Sequence, residues 1–271
     1  MKLPHHMPCK AFLTGAIQAA AARGACLAVL LVATAALQVA AAASDTPATG
    51  QALQGAEKTP SAAKLTRPPG TGKPARFGHQ HASGEVSGLA AWIVDSRDNQ
   101  GMPFMIVDKV NAQVLVFDTD GLLKGAAPAL LGLARGDEST PGIGERKLST
   151  ILPHERTTPA GRFVASLDRN IHGAEILWID YATSISLHKV VKGTPREQRA
   201  QRLSSPTAAD NRVSFGCINV PVIFYDKVVS PAFTGTNGVV YILPETRTAH
   251  DVFGSYEVDA AASPTVPPPI R

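Results

Sequence analysis

The sequence predicts a single, mainly β domain behind a long N-terminal stretch that cannot build a core. Short runs of β-branched and apolar residues recur between turn signals, and little helical period is present. A chain of 271 residues could hold one large or two small domains. Its first 86 or so residues, however, are too rich in Ala, Pro, Gly and Thr to fold around apolar side chains. The expected organisation is a signal peptide or N-terminal membrane anchor over 1–43, a flexible Pro/Ala/Gly-rich linker over 44–86, one domain over 87–250 and a loose tail over 251–271.

The folded region is expected to open with Ala90–Val94. Pro103–Val107 and Val114–Phe117 flank the polar stretch Asp108–Gln113 and read as a hairpin, followed by a turn at Asp118-Thr119-Asp120-Gly121. Further strands are expected over Arg162–Ser166, Ile176–Ile179, Ser184–His188 and Val239–Leu243. Two helices join them. Thr194-Pro195-Arg196-Glu197 places a hydroxyl cap, a proline at the first helical position and a carboxylate three residues after the cap, a capping box ahead of Gln198–Leu203. Pro221 can open a second short helix through Tyr225 to Val229.

Lys2, Lys10 and Arg23 precede the apolar run Ala25–Ala43, which ends in Ala41-Ala42-Ala43 before Ser44. A positive flank, an apolar stretch and a small-residue cleavage site make an export signal. The run is also long enough to cross a bilayer, so an uncleaved anchor is the alternative. Both export the domain to the periplasm or cell envelope, and both confine membrane contact to this segment.

The net charge of +4 excludes less than it suggests, because these three basic residues sit in a segment without an acid. Without them 23 basic residues face 22 acidic ones, and nothing points to nucleic acid. The charge is unevenly spread: Lys189, Lys192, Arg196, Arg199, Arg202 and Arg212 meet only Glu197 and Asp210 between His188 and Cys217. His79 and His81 lie two apart without a third ligand nearby in sequence, so no metal site is expected there.

Chemistry concentrates in Val213-Ser214-Phe215-Gly216-Cys217-Ile218-Asn219-Val220. A cysteine directly after a glycine can present its sulfur on a tight turn beside main-chain N–H groups. The chain has three cysteines, and Cys9 and Cys26 lie in the N-terminal segment, so Cys217 is expected to lack a partner. In an exported protein such a thiol needs a reason; burial as a small apolar residue is the bland one. In Ser184–His188 the alternation of a strand turns Ile185 and Leu187 to the core and puts Ser184, Ser186 and His188 on the other face. A thiol, mostly protonated near neutral pH, needs such an imidazole to take its proton.

The cysteine run resembles the signature of the L,D-transpeptidase catalytic-domain (YkuD-type) family, a histidine followed downstream by Ser/Thr-His-Gly-Cys-apolar-Asn (or Arg). Ser214, Gly216, Cys217, Ile218 and Asn219 match, His188 is the upstream histidine, and Phe215 departs from the pattern. The resemblance runs from about Pro103 to Pro244 and includes Thr158-Pro159-Ala160-Gly161-Arg162-Phe163. It implies an L,D-transpeptidase-type β-sandwich with a few short helices, no metal and no organic cofactor.

It also implies a cysteine acyltransferase acting on peptidoglycan stem peptides, with an amine from a second stem or a protein as acceptor. Cys217 would attack the carbonyl of the third stem residue and expel D-alanine, with His188 as base and then acid. The N–H groups of Gly216 and Cys217 would hold the oxyanion, and the Lys189 carbonyl would orient the imidazole. Ser214 would bond the turn, and Asn219 would support the loop or contact substrate. His188 and Cys217 stand 29 residues apart, farther than is usual in the family, so the basic helix between them reads as an insertion. Its Arg196, Arg199 and Arg202 could form a lid that grips stem-peptide carboxylates, or simply a solvated face. The alternatives are hydrolysis of the same thioester, as an L,D-carboxypeptidase or amide hydrolase, a non-catalytic wall-binding domain, and a protease.

Overall fold

The structure is a computed structural model that describes residues 74–258. The expected export segment, most of the expected linker and the last 13 residues lie outside the described ones.

The chain enters earlier than expected. Arg76 exchanges main-chain hydrogen bonds with Gly121 and Leu123, and the Phe77 ring stands edge-on to Phe117 at 5.5 Å. The opening segment is then helix α1, Gly84–Ser96, rather than a run beginning at Ala90. Val86, Leu89, Ala90 and Ile93 recur at helical spacing and are buried, a period that starts before the apolar run and is lost in a window confined to it. Ser83 caps α1 by accepting from the Val86 N–H, and Arg97 ends it in the left-handed region.

Strands β1 (Phe104–Asp108) and β2 (Gln113–Phe117) form the expected hairpin. The Asp118 carboxylate closes the next turn by accepting from the Asp120 and Leu122 N–H groups. Strands β3 (Leu123–Pro128) and β4 (Leu131–Gly132) follow, then a long excursion, then β5 (Gly161–Arg169), β6 (Glu175–Asp180) and β7 (Ile185–Lys189). After helix α2 (Arg199–Ser204) come β8 (Arg212–Ser214) and β9 (Ile218–Val220). A helical run follows from α3 (Val222–Phe224) through a wider turn to α4 (Ser230–Phe233), longer than the expected stretch; β10 (Gly238–Ile242) and α5 (Ala249–Phe253) complete the order.

Eight strands form one sheet in the order β3-β2-β1-β10-β5-β6-β7-β9, and β4 pairs with β8. Strand β5 turns the corner. Its first half, Gly161–Ala165, pairs with β10, and its second half, Ser166–Arg169, pairs with β6. The two half-sheets therefore enclose a common core in which Met105, Val107, Val114 and Val116 meet Leu177, Ile185, Leu187, Ile218 and Val220, with Phe224, Tyr225 and Phe233 filling it. That is the packing of a sandwich, and the fold is mainly β.

The outer face of the first half-sheet carries α1 and the C-terminal segment. Tyr241 contacts Trp92 and Phe253 edge-on, and Tyr256 donates to Asp95 at 2.8 Å. The segment expected to be a loose tail is thus packed at least through Tyr256. The outer face of the second half-sheet carries Ser186 and His188.

Candidate active site

The cysteine lies on a turn joining two strands with different partners, since β8 pairs with β4 and β9 pairs with β7. Gly216 holds φ +131°, and a Cβ there would stand 2.7 Å from both the Thr157 carbonyl oxygen and Ile185 Cδ1. Only glycine fits. Ser214 Oγ donates to the Cys217 carbonyl at 2.6 Å and accepts from the Gly216 N–H at 3.0 Å. From outside the turn, Thr158 Oγ1 donates to the Gly216 carbonyl at 2.8 Å and accepts from the Gly132 N–H at 2.9 Å. Both hydroxyls, of Ser214 and Thr158, are thus used to fix main chain around the sulfur. Gly216→Ala is expected to cost about 3 kcal/mol or more, from the disfavoured φ and the overlap together, and to abolish activity; a thermal melt alongside an acylation assay checks both.

These bonds redistribute the roles expected from sequence. The Gly216 N–H is already donated to Ser214 Oγ, so it does not point to an oxyanion as expected. Ser214 clamps the turn. Asn219, placed among substrate contacts, is fully buried: its Nδ2 donates to the Cys217 carbonyl at 3.3 Å, its Oδ1 accepts from Arg199 at 2.7 Å, and its main chain bridges Leu130.

The sulfur itself lies 3.7 Å from Ser186 Oγ and 3.6 Å from the Ser184 carbonyl oxygen. Cys217 is disulfide-bonded in the structure, which corrects the expectation that it lacks a partner; the chain's other cysteines, Cys9 and Cys26, are outside the described residues. A sulfur in a disulfide carries no proton and is no nucleophile, so the chemistry below belongs to the reduced chain.

His188 follows Ser186 on the same strand face, about 7 Å further along at the repeat of a β-strand, and its main chain lies opposite Asn219 across the β7–β9 pairing. Its Nδ1 is 2.8 Å from the Lys189 carbonyl oxygen. A carbonyl only accepts, so Nδ1 carries a proton and Nε2 of the neutral ring is the basic nitrogen. Burial holds the imidazole below its ordinary value; the Lys189 carbonyl works the other way, and the Arg199 charge adds to the lowering. The Lys189 ammonium turns aside to Asp226 at 2.5 Å, over the Tyr225 ring.

The insertion does not form one helix. Thr194 opens a tight turn over Pro195–Glu197, with the Glu197 carboxylate accepting from the Thr194 N–H. Gln198 then enters the left-handed region, and α2 begins at Arg199. Of the three arginines expected to form a lid, only Arg196 is exposed. Arg199 is buried, donating Nε to Glu197 at 2.8 Å and a terminal nitrogen to Asn219. Arg202 donates to the main-chain carbonyls of Glu197 and Asp210.

Residues without an expected role complete the site. The excursion between β4 and β5 lies against the turn: Ser184 Oγ donates to the Gly144 carbonyl at 3.2 Å, and the Arg156 guanidinium sits 3.9 Å above the Phe215 ring. Phe215, the departure from the family pattern, is therefore the lower half of a cation–π pair. Its own excursion is tied by Arg146 and Glu155, and the Arg146 guanidinium, then the Leu152 N–H, draw the Glu155 carboxyl down to about 2. Beneath Thr158, the buried Lys109 ammonium donates to the carbonyls of Gly136 and Thr158 and to Asp137. Thr158 stood in the quoted Thr-Pro segment and Ser186 on the polar strand face, so both were within reach of sequence; Arg156 and Lys109 carried no signal.

No family model and no curated protein matches the sequence. Among solved structures, the chain is similar to the catalytic domain of an L,D-transpeptidase from E. faecium, at 18% identity and a TM-score of 0.32, over 53% of this chain and 98% of that one. It is similar to the helical cell shape determining protein Pgp2 from Campylobacter jejuni, at 14% identity and a TM-score of 0.37, over 54% of this chain and 49% of that one. A third is an L,D-transpeptidase from Xylanimonas cellulosilytica, at 14% identity and a TM-score of 0.30, over 52% of this chain and 60% of that one. This chain thus matches about half the length of the Campylobacter protein. The solved structures that it resembles include L,D-transpeptidase catalytic domains, at low identity and with partial coverage.

Proposed function

We propose that the reduced chain is an exported cysteine acyltransferase of the L,D-transpeptidase kind, acting on peptidoglycan stem peptides in the periplasm or cell envelope. One observation carries the reading. A single strand face presents Ser186 against the Cys217 sulfur and, one repeat on, an imidazole whose Nδ1 is fixed by the Lys189 carbonyl.

His188 Nε2 takes the thiol proton, and the sulfur attacks the carbonyl carbon of the third stem residue. When the tetrahedral intermediate collapses, the C–N bond breaks and the imidazolium returns the proton to the departing D-alanine amine, leaving a thioester. An acceptor amine then attacks, His188 removes its proton, and the thiolate leaves. Main-chain N–H at the cysteine's own residue receives the oxyanion, the Gly216 N–H being held by Ser214. No cofactor takes part. Since Arg199 and Arg202 are committed within the fold, the acceptor's carboxylates fall to Arg196 or to residues outside the insertion.

The test uses the full chain with Cys9→Ser and Cys26→Ser, kept reduced and given a stem tetrapeptide with and without an amine acceptor. D-alanine release that requires Cys217, with a cross-linked product when the amine is present, supports the proposal. Release without cross-linking assigns the thioester to water, and no release overturns the reading.

A further inference from the structure

The insertion ends in a relay that reaches the nucleophile turn. Glu197 Oε2 accepts from the Thr194 N–H at 3.2 Å and from Arg199 Nε at 2.8 Å. Arg199 Nη1 donates to Asn219 Oδ1 at 2.7 Å, and Asn219 Nδ2 donates to the Cys217 carbonyl at 3.3 Å. The direction of the relay is fixed by chemistry. A guanidinium only donates and a carbonyl only accepts, so the Asn219 amide has one orientation available to it. That amide is fully buried and Arg199 is 9% exposed, so water competes little with these bonds and the loss of one partner leaves the next unsatisfied.

We propose that Arg199 is a positioning residue: through Asn219, which lies opposite His188 in the β7–β9 pairing, it holds the main chain that carries Cys217. The inference rests on the acyl-transfer reading of the site and adds to it a role for the insertion. The 29-residue spacing between base and nucleophile then has a use, since it delivers a forked cation under the turn from a segment outside both strands.

Two properties of arginine are separable. The fork bonds Glu197 and Asn219 together, which a lysine ammonium on a flexible stem does not reproduce. The positive charge disfavours a second cation on the neighbouring imidazole, and the Arg199 charge does work in that direction on His188. Next to His188 on its own strand, Lys189 is drawn off to Asp226, and Glu197 of the insertion is bonded to Arg199; in the reduced chain the Cys217 thiol is a further titratable group of the site. Glu197 is bonded to Arg199 and partly offsets it, so the effect on the imidazole is that of a screened charge.

The experiment compares Arg199→Gln and Arg199→Lys in the full, reduced chain carrying Cys9→Ser and Cys26→Ser. The His188 titration is read from its imidazole resonances by NMR, and kcat and KM are read from D-alanine release. Arg199→Gln is expected to move the His188 midpoint to higher pH and to lower kcat on the order of tenfold or more. Arg199→Lys keeps the charge and loses the fork, so the midpoint stays and kcat falls. A midpoint unmoved in Arg199→Gln overturns the proposal. So does a loss carried by KM alone in both variants, which would return Arg199 to substrate binding. If Arg199→Gln does not fold, Arg199→Lys with parent kcat overturns the positioning role. If the parent releases no D-alanine, the acyl-transfer reading fails by itself, and the titration together with the rate of Cys217 alkylation still decides the relay.

Discussion

Asp137→Ala is expected to cost about 3–5 kcal/mol, the range for removing one partner of a buried ion pair. The carboxylate is buried and collects five donors. Oδ1 accepts from Lys109 at 2.9 Å and from the Glu245 N–H at 2.7 Å, and Oδ2 accepts from the Thr246 N–H, the Thr246 hydroxyl and the Arg247 N–H. Burial alone would raise its pKa; the bonds from Thr246 and Lys109 outweigh that and hold it below the ordinary carboxylate range. Removing it strands three main-chain N–H groups and an ammonium that burial already disfavours. Lys109→Met is expected to cost less, because those same N–H groups continue to solvate the remaining carboxylate. Urea unfolding with an unchanged m value checks both, and a loss below about 1 kcal/mol for Asp137→Ala would contradict the account. Lys109 holds the Thr158 carbonyl and Thr158 holds Gly216, so activity in Asp137→Ala is expected to fall while the protein is still folded.

His188→Gln is expected to slow acylation of Cys217 by a factor on the order of 10² to 10⁴, the usual contribution of a placed general base. The parent's pH dependence follows from the lowered imidazole pKa. A base works when unprotonated, so a pKa held below about 6.5 keeps the ring competent into mildly acidic solution. The acid limb of the acylation profile is expected below the ordinary histidine value, and it should vanish in His188→Gln. An acid limb above pH 6.5 would mean that the half-buried His188 ring, its pKa lowered by desolvation, is not the titrating base.

What sequence made legible was what lies close in the chain or alternates clearly. The β1–β2 hairpin has two buried strands around a polar turn, and Ser186 and His188 follow from the period of a strand. Helix α1 was misread because half of its apolar period precedes Ala90. Strand β3, Leu-Lys-Gly-Ala-Ala-Pro, has no β-branched residue and is a strand because β2 supplies its partner. Strands β8 and β9 are three residues each and exist through β4 and β7. Periodicity has nothing to say at that length.

The site divides in the same way. Cysteine after glycine and histidine on a polar face are chemistry written in adjacent residues. Whether Arg199 faces solvent or Asn219 depends on Gln198, whose left-handed conformation breaks the capped turn from α2, and charge counting does not reveal it. Lys109 and Asp137 are 28 residues apart and look like surface charges until the fold buries them together.

The central claim is that Cys217 is a nucleophile served by His188. It is tested most directly by the intact mass of the full reduced chain, with Cys9→Ser and Cys26→Ser, after incubation with a carbapenem. The account predicts a single covalent adduct that is absent from Cys217→Ala and slow to form in His188→Gln. A folded, reduced chain that forms no adduct, or one that forms it equally with and without Cys217, would contradict it.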